Sequence, residues 1–182
     1  MFAFKVVLMG DGAVGKSSLR RRFMGETFKA HYIKTVGADF SAKVVEVGEH
    51  KVKFIIWDLA GQPHFKQVRS SFYFGARGAL LVYDVTRRET LRNIVPWMEE
   101  FVRNCQRKKV AAVLVGNKID LRPEVDDAIS TEEGEEACEE LRARFGIPVV
   151  FVETSAKTGE NVDKAFRALA VELLRGSGVS GV

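Results

Sequence analysis

Apolar runs and helically spaced apolar positions alternate from one end of the chain to the other. Six runs read as strands: Phe2 to Met9, Asp39 to Val47, Val52 to Asp58, Ala79 to Val85, Val110 to Gly116 and Pro148 to Glu153. The second and third are separated only by Gly48-Glu49-His50, too short for a crossover, which predicts an antiparallel hairpin. The others are near-continuously apolar, as in Ala79-Leu80-Leu81-Val82-Tyr83, the pattern of strands buried on both faces. Helical patterns fill the gaps. Ser130-Thr131-Glu132-Glu133 has the form of a capping box, and its helix runs to about Phe145, stopped by Gly146 and Pro148. Val162, Phe166, Leu169 and Leu173 give the last helix an apolar stripe. The pattern predicts one α/β domain over residues 1–175: a six-stranded, mostly parallel sheet with one antiparallel edge strand, flanked by about five helices. Residues Gly176 to Val182 read as a flexible tail. Ligands of such open sheets bind beyond the carboxyl ends of the parallel strands.

Candidate chemistry falls at those ends. Gly10 to Ser17 (Gly-Asp-Gly-Ala-Val-Gly-Lys-Ser) follows the first strand and opens a helix at Ser18-Leu19-Arg20, the context a phosphate loop requires. Gly10, Gly12 and Gly15 lack a Cβ, so the loop, with Asp11, Ala13 and Val14 between them, can turn successive N–H groups toward phosphates. The N-terminal end of the helix, at Ser18, adds its positive pole. Lys16 supplies a compact charge for the β- and γ-phosphates, and the Ser17 hydroxyl is placed to ligate Mg2+.

Asp58 ends the third strand with a carboxylate suited to support Mg2+, and Thr35 offers a hydroxyl to the same ion and an N–H to a γ-phosphate. In the segment Asp58-Leu59-Ala60-Gly61-Gln62, Gly61 has an unencumbered N–H for the γ-phosphate, and Gln62 can orient an attacking water. Asn117-Lys118-Ile119-Asp120 follows the fifth strand. Its carboxylate can accept from guanine N1–H and N2–H2, which adenine does not present in that geometry. Asn117 can bond N7 and tie loops together, while the Lys118 stem packs over the ring. Ser155-Ala156-Lys157, after the last strand, offers the Ala156 N–H to O6 and a second aliphatic stem in Lys157. Phe28 is an aromatic candidate for the ring edge, with core packing as its competing role.

These segments, in this order and spacing, resemble a Ras-superfamily small GTPase over Phe4 to Leu174. Thr35-Val36-Gly37-Ala38-Asp39-Phe40 and Leu80-Leu81-Val82-Tyr83-Asp84-Val85-Thr86 are most similar to the Rab branch, while Gly10 to Gly15 is closer to the Rho branch. Pro63 departs from the acidic residue usual after the glutamine in both. The resemblance implies a P-loop NTPase fold and a monomeric, Mg2+-dependent GTP/GDP switch with slow hydrolysis. It also implies an exchange factor, a GTPase-activating protein and effectors that meet the loops around Thr35 and Gln62. Two other classes compete: a GTP-binding scaffold with little turnover, and a translation GTPase, whose usual histidine is matched only by His64, two residues late.

The net charge of +4 comes from scattered Lys and Arg with clusters at Arg20-Arg21-Arg22 and Arg107-Lys108-Lys109. Acidic runs such as Glu132-Glu133 interrupt any single-sign surface, so no nucleic-acid role is expected. No apolar stretch reaches membrane-spanning length, and residues 176–182 hold no cysteine to prenylate, so the expectation is a cytoplasmic protein without its own lipid anchor, meeting a membrane peripherally only through partners or a longer C-terminus. Cys105 and Cys138 have no metal-ligand spacing and read as reduced thiols.

Overall fold

A computed structural model describes residues 1–29 and 34–182. The strands are β1 (Phe2–Met9), β2 (Ala38–Val47), β3 (His50–Leu59), β4 (Gly78–Asp84), β5 (Ala111–Asn117) and β6 (Val149–Glu153), forming one sheet in the order β2-β3-β1-β4-β5-β6. Only the β2–β3 pairing is antiparallel, which bears out the mostly parallel sheet with one antiparallel edge strand. The hairpin is tighter than its sequence suggests. Val47 pairs with His50, so the turn is Gly48-Glu49 alone, and Gly48 supplies the positive φ of 56° that a two-residue connection needs.

The helices are α1 (Lys16–Phe23), α2 (Lys66–Tyr73), α3 (Arg88–Arg92), α4 (Ile94–Asn104), α5 (Thr131–Phe145) and α6 (Val162–Gly176). There are thus six α-helices among the described residues where about five are expected. Pro96 accounts for the extra one: it has no N–H for the Arg92 carbonyl, and its ring crowds that carbonyl, so the helix breaks at Asn93. Short 3-10 turns cover Pro63–Phe65 and Ile119–Glu124. The capping box forms as read, with the Glu133 N–H donating to Ser130 Oγ and the Ser130 N–H to the Glu133 carboxylate. Gly146, at φ 63°, closes that helix.

Alternation along the central strands sends side chains to two cores. Phe4, Val6, Leu8 and Val113 pack with Leu19 and Phe23 of α1 and the apolar stripe of α6. Val7, Met9, Leu81 and Leu114 pack with Tyr73, Trp97, Phe101 and Leu141 of α2, α4 and α5. Both cysteines are buried free thiols. Beyond α6, Val179 and Val182 lie against the first core. With both faces covered, the edge at the strand carboxyl ends is left to bind a ligand.

Candidate functional site

The phosphate loop leaves β1 at Gly10, whose φ of 140° brings its Cα so close to β4 that a Cβ there would lie 2.2 Å from the Val82 carbonyl oxygen. Gly15, at φ 103°, admits the Asn117 amide, which a Cβ would meet at 2.3 Å. The carbonyls between them are held from outside. Arg87 Nη2 donates to Gly12 O at 2.8 Å, Lys118 Nζ to Ala13 O at 2.7 Å and Asn117 Nδ2 to Val14 O at 2.9 Å. Across a planar trans peptide the carbonyl and the next N–H point in opposite directions, so outward carbonyls at 12, 13 and 14 turn the N–H groups of Ala13, Val14 and Gly15 inward. Ala13 is held at a positive φ of 62° by this arrangement. The Asp11 carboxylate faces away from the loop's interior and accepts from Asn93 Nδ2 and Trp97 Nε1 at 2.7 and 2.8 Å.

Lys16 Nζ crosses the loop to donate to Gly10 O and Asp11 O. Burial lowers its pKa to about 8, against the pull of Asp58 and Asp11. Ser17 Oγ donates to Asp58 Oδ2 and lies 3.0 Å from Thr35 Oγ1. Asp58 is 1% exposed, its Oδ1 has no hydrogen-bond partner, and burial raises its pKa despite Ser17 and Lys16. Two hydroxyls and a buried carboxylate with an unpartnered oxygen form a hard-oxygen donor set that fits Mg2+. No group of three His, Cys, Asp or Glu among the described residues could hold a metal by itself. Thr35 therefore meets its expected neighbours; Tyr32 and Ile33, just before it, lie outside the described residues.

Gly61 lies flat on the phosphate loop: a Cβ there would fall 2.4 Å from Gly10 O and 2.7 Å from Gly12 N. Gln62 follows, with Pro63 at the first position of the 3-10 turn, where its fixed φ is accommodated. Arg69 holds this segment. Its Nη1 donates to Ala60 O and Gln62 O, both at 2.9 Å, and its other nitrogens grip the Glu100 carboxylate at 2.8 and 3.2 Å. The guanidinium also stacks 4.3 Å over the Trp97 ring, and the Tyr73 hydroxyl donates to Glu100.

On the base side, Asn117 Oδ1 accepts from Thr154 Oγ1 and from the Ala156 N–H. Asn117 thus ties three loops together, and the Ala156 N–H foreseen for O6 is directed at it. Lys118, at φ 68°, pairs with Asp84 at 2.9 Å. Burial pushes the Asp84 carboxyl up, but Lys118 and Thr86 pull it to a net value below the ordinary carboxylate range. Ser155 Oγ donates to Asp120 Oδ1 at 2.6 Å and so aims that carboxylate.

One cavity of about 320 Å³ joins both halves. Its wall includes Ala13, Gly15, Lys16, Ser17, Ser18, Thr35, Gly61 and Gln62 on the phosphate side, and Asn117, Lys118, Asp120, Ala156 and Lys157 on the base side. Gly10, Asp11, Gly12, Val14, Asp58 and Ser155 are not among the residues that line it. Phe28 lines the cavity and is 39% exposed, not a core residue. Sequence reasoning missed Arg69, Asp84, Arg87, Trp97 and Glu100, whose partners lie far along the chain, and Arg21, Lys29 and Leu121, which line the cavity. It also missed a row of aromatic rings beside the two phosphate-side loops. Phe40, 62% exposed, stacks on Trp57 at 5.3 Å, and Trp57 meets Phe72 at 5.2 Å.

Residues 5–175 match the family model described as the Ras family. The chain is 44% identical over 172 residues to the Ras-related protein RABA5b of Arabidopsis thaliana, covering 94% of this chain and 75% of that one. It is 42% identical over 172 residues to the Ras-related protein RIC1 of Oryza sativa subsp. japonica, covering 94% of this chain and 81% of that one.

Proposed function

This chain belongs to the Ras family of small GTPases, and we propose that residues 1–175 act as a Mg2+-dependent switch whose two states differ at Thr35 and Gly61. The observation that carries the proposal is the continuity of one cavity from Gln62 to Asp120: the residues expected to meet a γ-phosphate and those expected to read guanine share its wall. In this reading the inward N–H groups of Ala13 to Gly15 and the Lys16 ammonium cradle the β- and γ-phosphates, and Asp120, aimed by Ser155, reads guanine N1–H and N2–H2. Ser17, Thr35 and Asp58 would hold Mg2+, which would supply positive charge to offset that of the phosphates. Gln62 orients the attacking water, and Arg69 keeps its backbone in register.

Loss of the γ-phosphate releases Thr35 and the Gly61 N–H, and the two loops change the surface they present. The exposed ring of Phe40 and the neighbouring Trp57 and Phe72 give an effector an apolar footing between those loops. Exchange and activating factors act on the same loops, the latter supplying an arginine in trans. No helix among the described residues is long and apolar enough to cross a membrane, and we assign the protein to the cytoplasm as a monomer.

Single-turnover hydrolysis of GTP tests the proposal. The intrinsic rate should be about 10^-4 to 10^-3 s^-1, as for unassisted relatives of this mechanism. Gln62→Leu should leave nucleotide affinity unchanged and abolish most activator-stimulated turnover. Wild-type stimulated turnover in that variant would remove Gln62 from the mechanism and favour loops that serve binding alone.

A further inference from the structure

The two basic clusters of the sequence meet different fates in the fold. Arg20 pairs with Asp39 and approaches Asp58, Arg22 donates to the carbonyls of Ala156 and Lys157, and Arg21 lines the nucleotide cavity. That cluster is absorbed by the site. Arg107, Lys108 and Lys109 are exposed and have no ion pair among the described residues. Residues 101–119 contain no Asp or Glu to neutralise them.

These three residues gather with Arg77 around a second, open cavity of about 450 Å³, lined also by Gly176 and Ser177. Arg77 precedes β4 and residues 107–109 precede β5, so the cavity lies at the amino ends of the parallel strands. The nucleotide cavity lies at their carboxyl ends, about 23 Å away for a seven-residue strand at about 3.3 Å per residue. Arg77 is braced, with Nε on the Lys109 carbonyl at 2.7 Å and its guanidinium over Phe4. No carboxylate lines the cavity. Alongside, Gly75 sits on the Cys105 carbonyl, within reach of Arg107, and the preceding Phe74 is 61% exposed.

We propose that this foot of the sheet is a docking surface for anionic phospholipid headgroups. Four cations with no ion pair among the described residues can recognise phosphate, and an exposed aromatic ring beside them suits the headgroup level of a bilayer. The cations sit on loops flanking a shallow depression, not on a helix or ribbon that could enter a nucleic-acid groove. Docking there directs the nucleotide edge, with Thr35, Gln62 and the aromatic row, away from the surface and toward partners. The contact is electrostatic and reversible, and is independent of which nucleotide is bound.

The test is co-sedimentation of the GDP-loaded full chain with vesicles of phosphatidylcholine alone and of phosphatidylcholine with about 30% phosphatidylserine. Each basic residue near such a surface is worth about fivefold in partitioning. Wild type should bind only the anionic vesicles and be released by salt. The triple variant R107E/K108E/K109E should lose at least about a hundredfold in partitioning, with nucleotide affinity unchanged because none of the three lines that cavity. Retained nucleotide binding also shows that the variant folds. Phe74→Ser should weaken binding severalfold without changing the salt slope. Equal partitioning to both vesicles, or full binding by the folded triple variant, overturns the proposal. So does charge-dependent binding of inositol hexakisphosphate or a single-stranded RNA oligonucleotide with no binding to anionic vesicles.

Discussion

Replacing Arg69 with methionine deletes a guanidinium while keeping a stem of similar length against Trp97. The side chains of Arg69 and Glu100 are only 4% and 10% exposed and approach to 2.8 Å. At an effective dielectric of about 20 their gross attraction is about 6 kcal/mol, most of it offset by desolvation. Removing one partner does not recover that desolvation; it strands Glu100 with the Tyr73 hydroxyl as its one remaining side-chain donor among the described residues. Breaking a buried pair in this way costs about 3–5 kcal/mol, and the Ala60 and Gln62 carbonyls lose their shared donor as well. Against a domain stability of about 5–15 kcal/mol, Arg69→Met alone should bring the protein close to half unfolded in moderate urea.

Glu100→Gln removes the charge that needs compensation while its amide oxygen still accepts from Tyr73. The double variant should therefore be more stable than the sum of the singles implies, with a coupling of about 2 kcal/mol or more. Urea unfolding at fixed GDP and Mg2+ measures the cycle, because bound ligand adds its own stabilisation. Hydrolysis gives an independent readout. Arg69 does not line the cavity, so GDP affinity should hold at a temperature where the variant is folded while single-turnover hydrolysis falls. Additive destabilisation within about 0.5 kcal/mol, or an unchanged hydrolysis rate, would refute the coupling of this pair to Gln62.

Ser17→Asn should weaken GTP and Mg2+ binding much more than GDP binding, since it removes a hydroxyl beside Asp58 and Thr35; equal losses in nucleotide titrations would contradict the metal assignment. Asp120→Asn should lose guanine affinity by about 5- to 150-fold, the equivalent of about 1–3 kcal/mol, and gain affinity for xanthosine diphosphate in competition binding. Loss of all nucleotides alike would mean that Asp120 holds its loop and does not read the base. Lys16 gives a pH signature: its pKa is about 8 in the fold against 10.5 unperturbed, so the charged form is disfavoured by folding. The Lys16 contribution to free-protein stability is therefore smallest below about pH 8 and rises toward pH 10.5, by about 3 kcal/mol in all. Bound phosphate restores the proton, so GDP affinity should be flat below about pH 8 and fall up to tenfold per unit above it. Lys16→Gln should lack that slope, guanine's own titration being common to both proteins; parallel pH profiles would sink the prediction.

Much of this was legible because a parallel sheet writes itself as apolar runs, and because a phosphate loop needs specific residues at fixed spacing. Strand ends moved by one or two residues, most visibly at His50, where polar alternation hides how far an edge hairpin continues. The break between α3 and α4 was readable from Pro96, but the helical spacing of Ile94, Trp97, Met98 and Phe101 masks it. The supports of the site were not legible. Arg69 and Glu100 are 31 residues apart, and Trp97 lies 86 residues from the Asp11 it binds. In composition a buried Arg is indistinguishable from a solvated one, which is why Arg20 to Arg22 read like Arg107 to Lys109 although the fold uses them in opposite ways.

The anchoring of the phosphate loop also decides which base-side residue can be tested cleanly. Asn117 and Lys118 each donate to a loop carbonyl, on Val14 and Ala13, while belonging to the segment that faces the base. Asn117 additionally receives the Ala156 N–H, and Lys118 offsets the buried Asp84. Changing either residue releases a carbonyl that keeps phosphate-facing N–H groups in place, so phosphate affinity and base preference fall together. Asp120 has no hydrogen bond to the loop among the described residues; its bond is to Ser155. Within the Asn117–Asp120 segment, the two functions of the cavity are therefore separable at Asp120. Guanine selectivity can be altered there without loss of phosphate affinity, whereas Asn117 and Lys118 carry both functions at once.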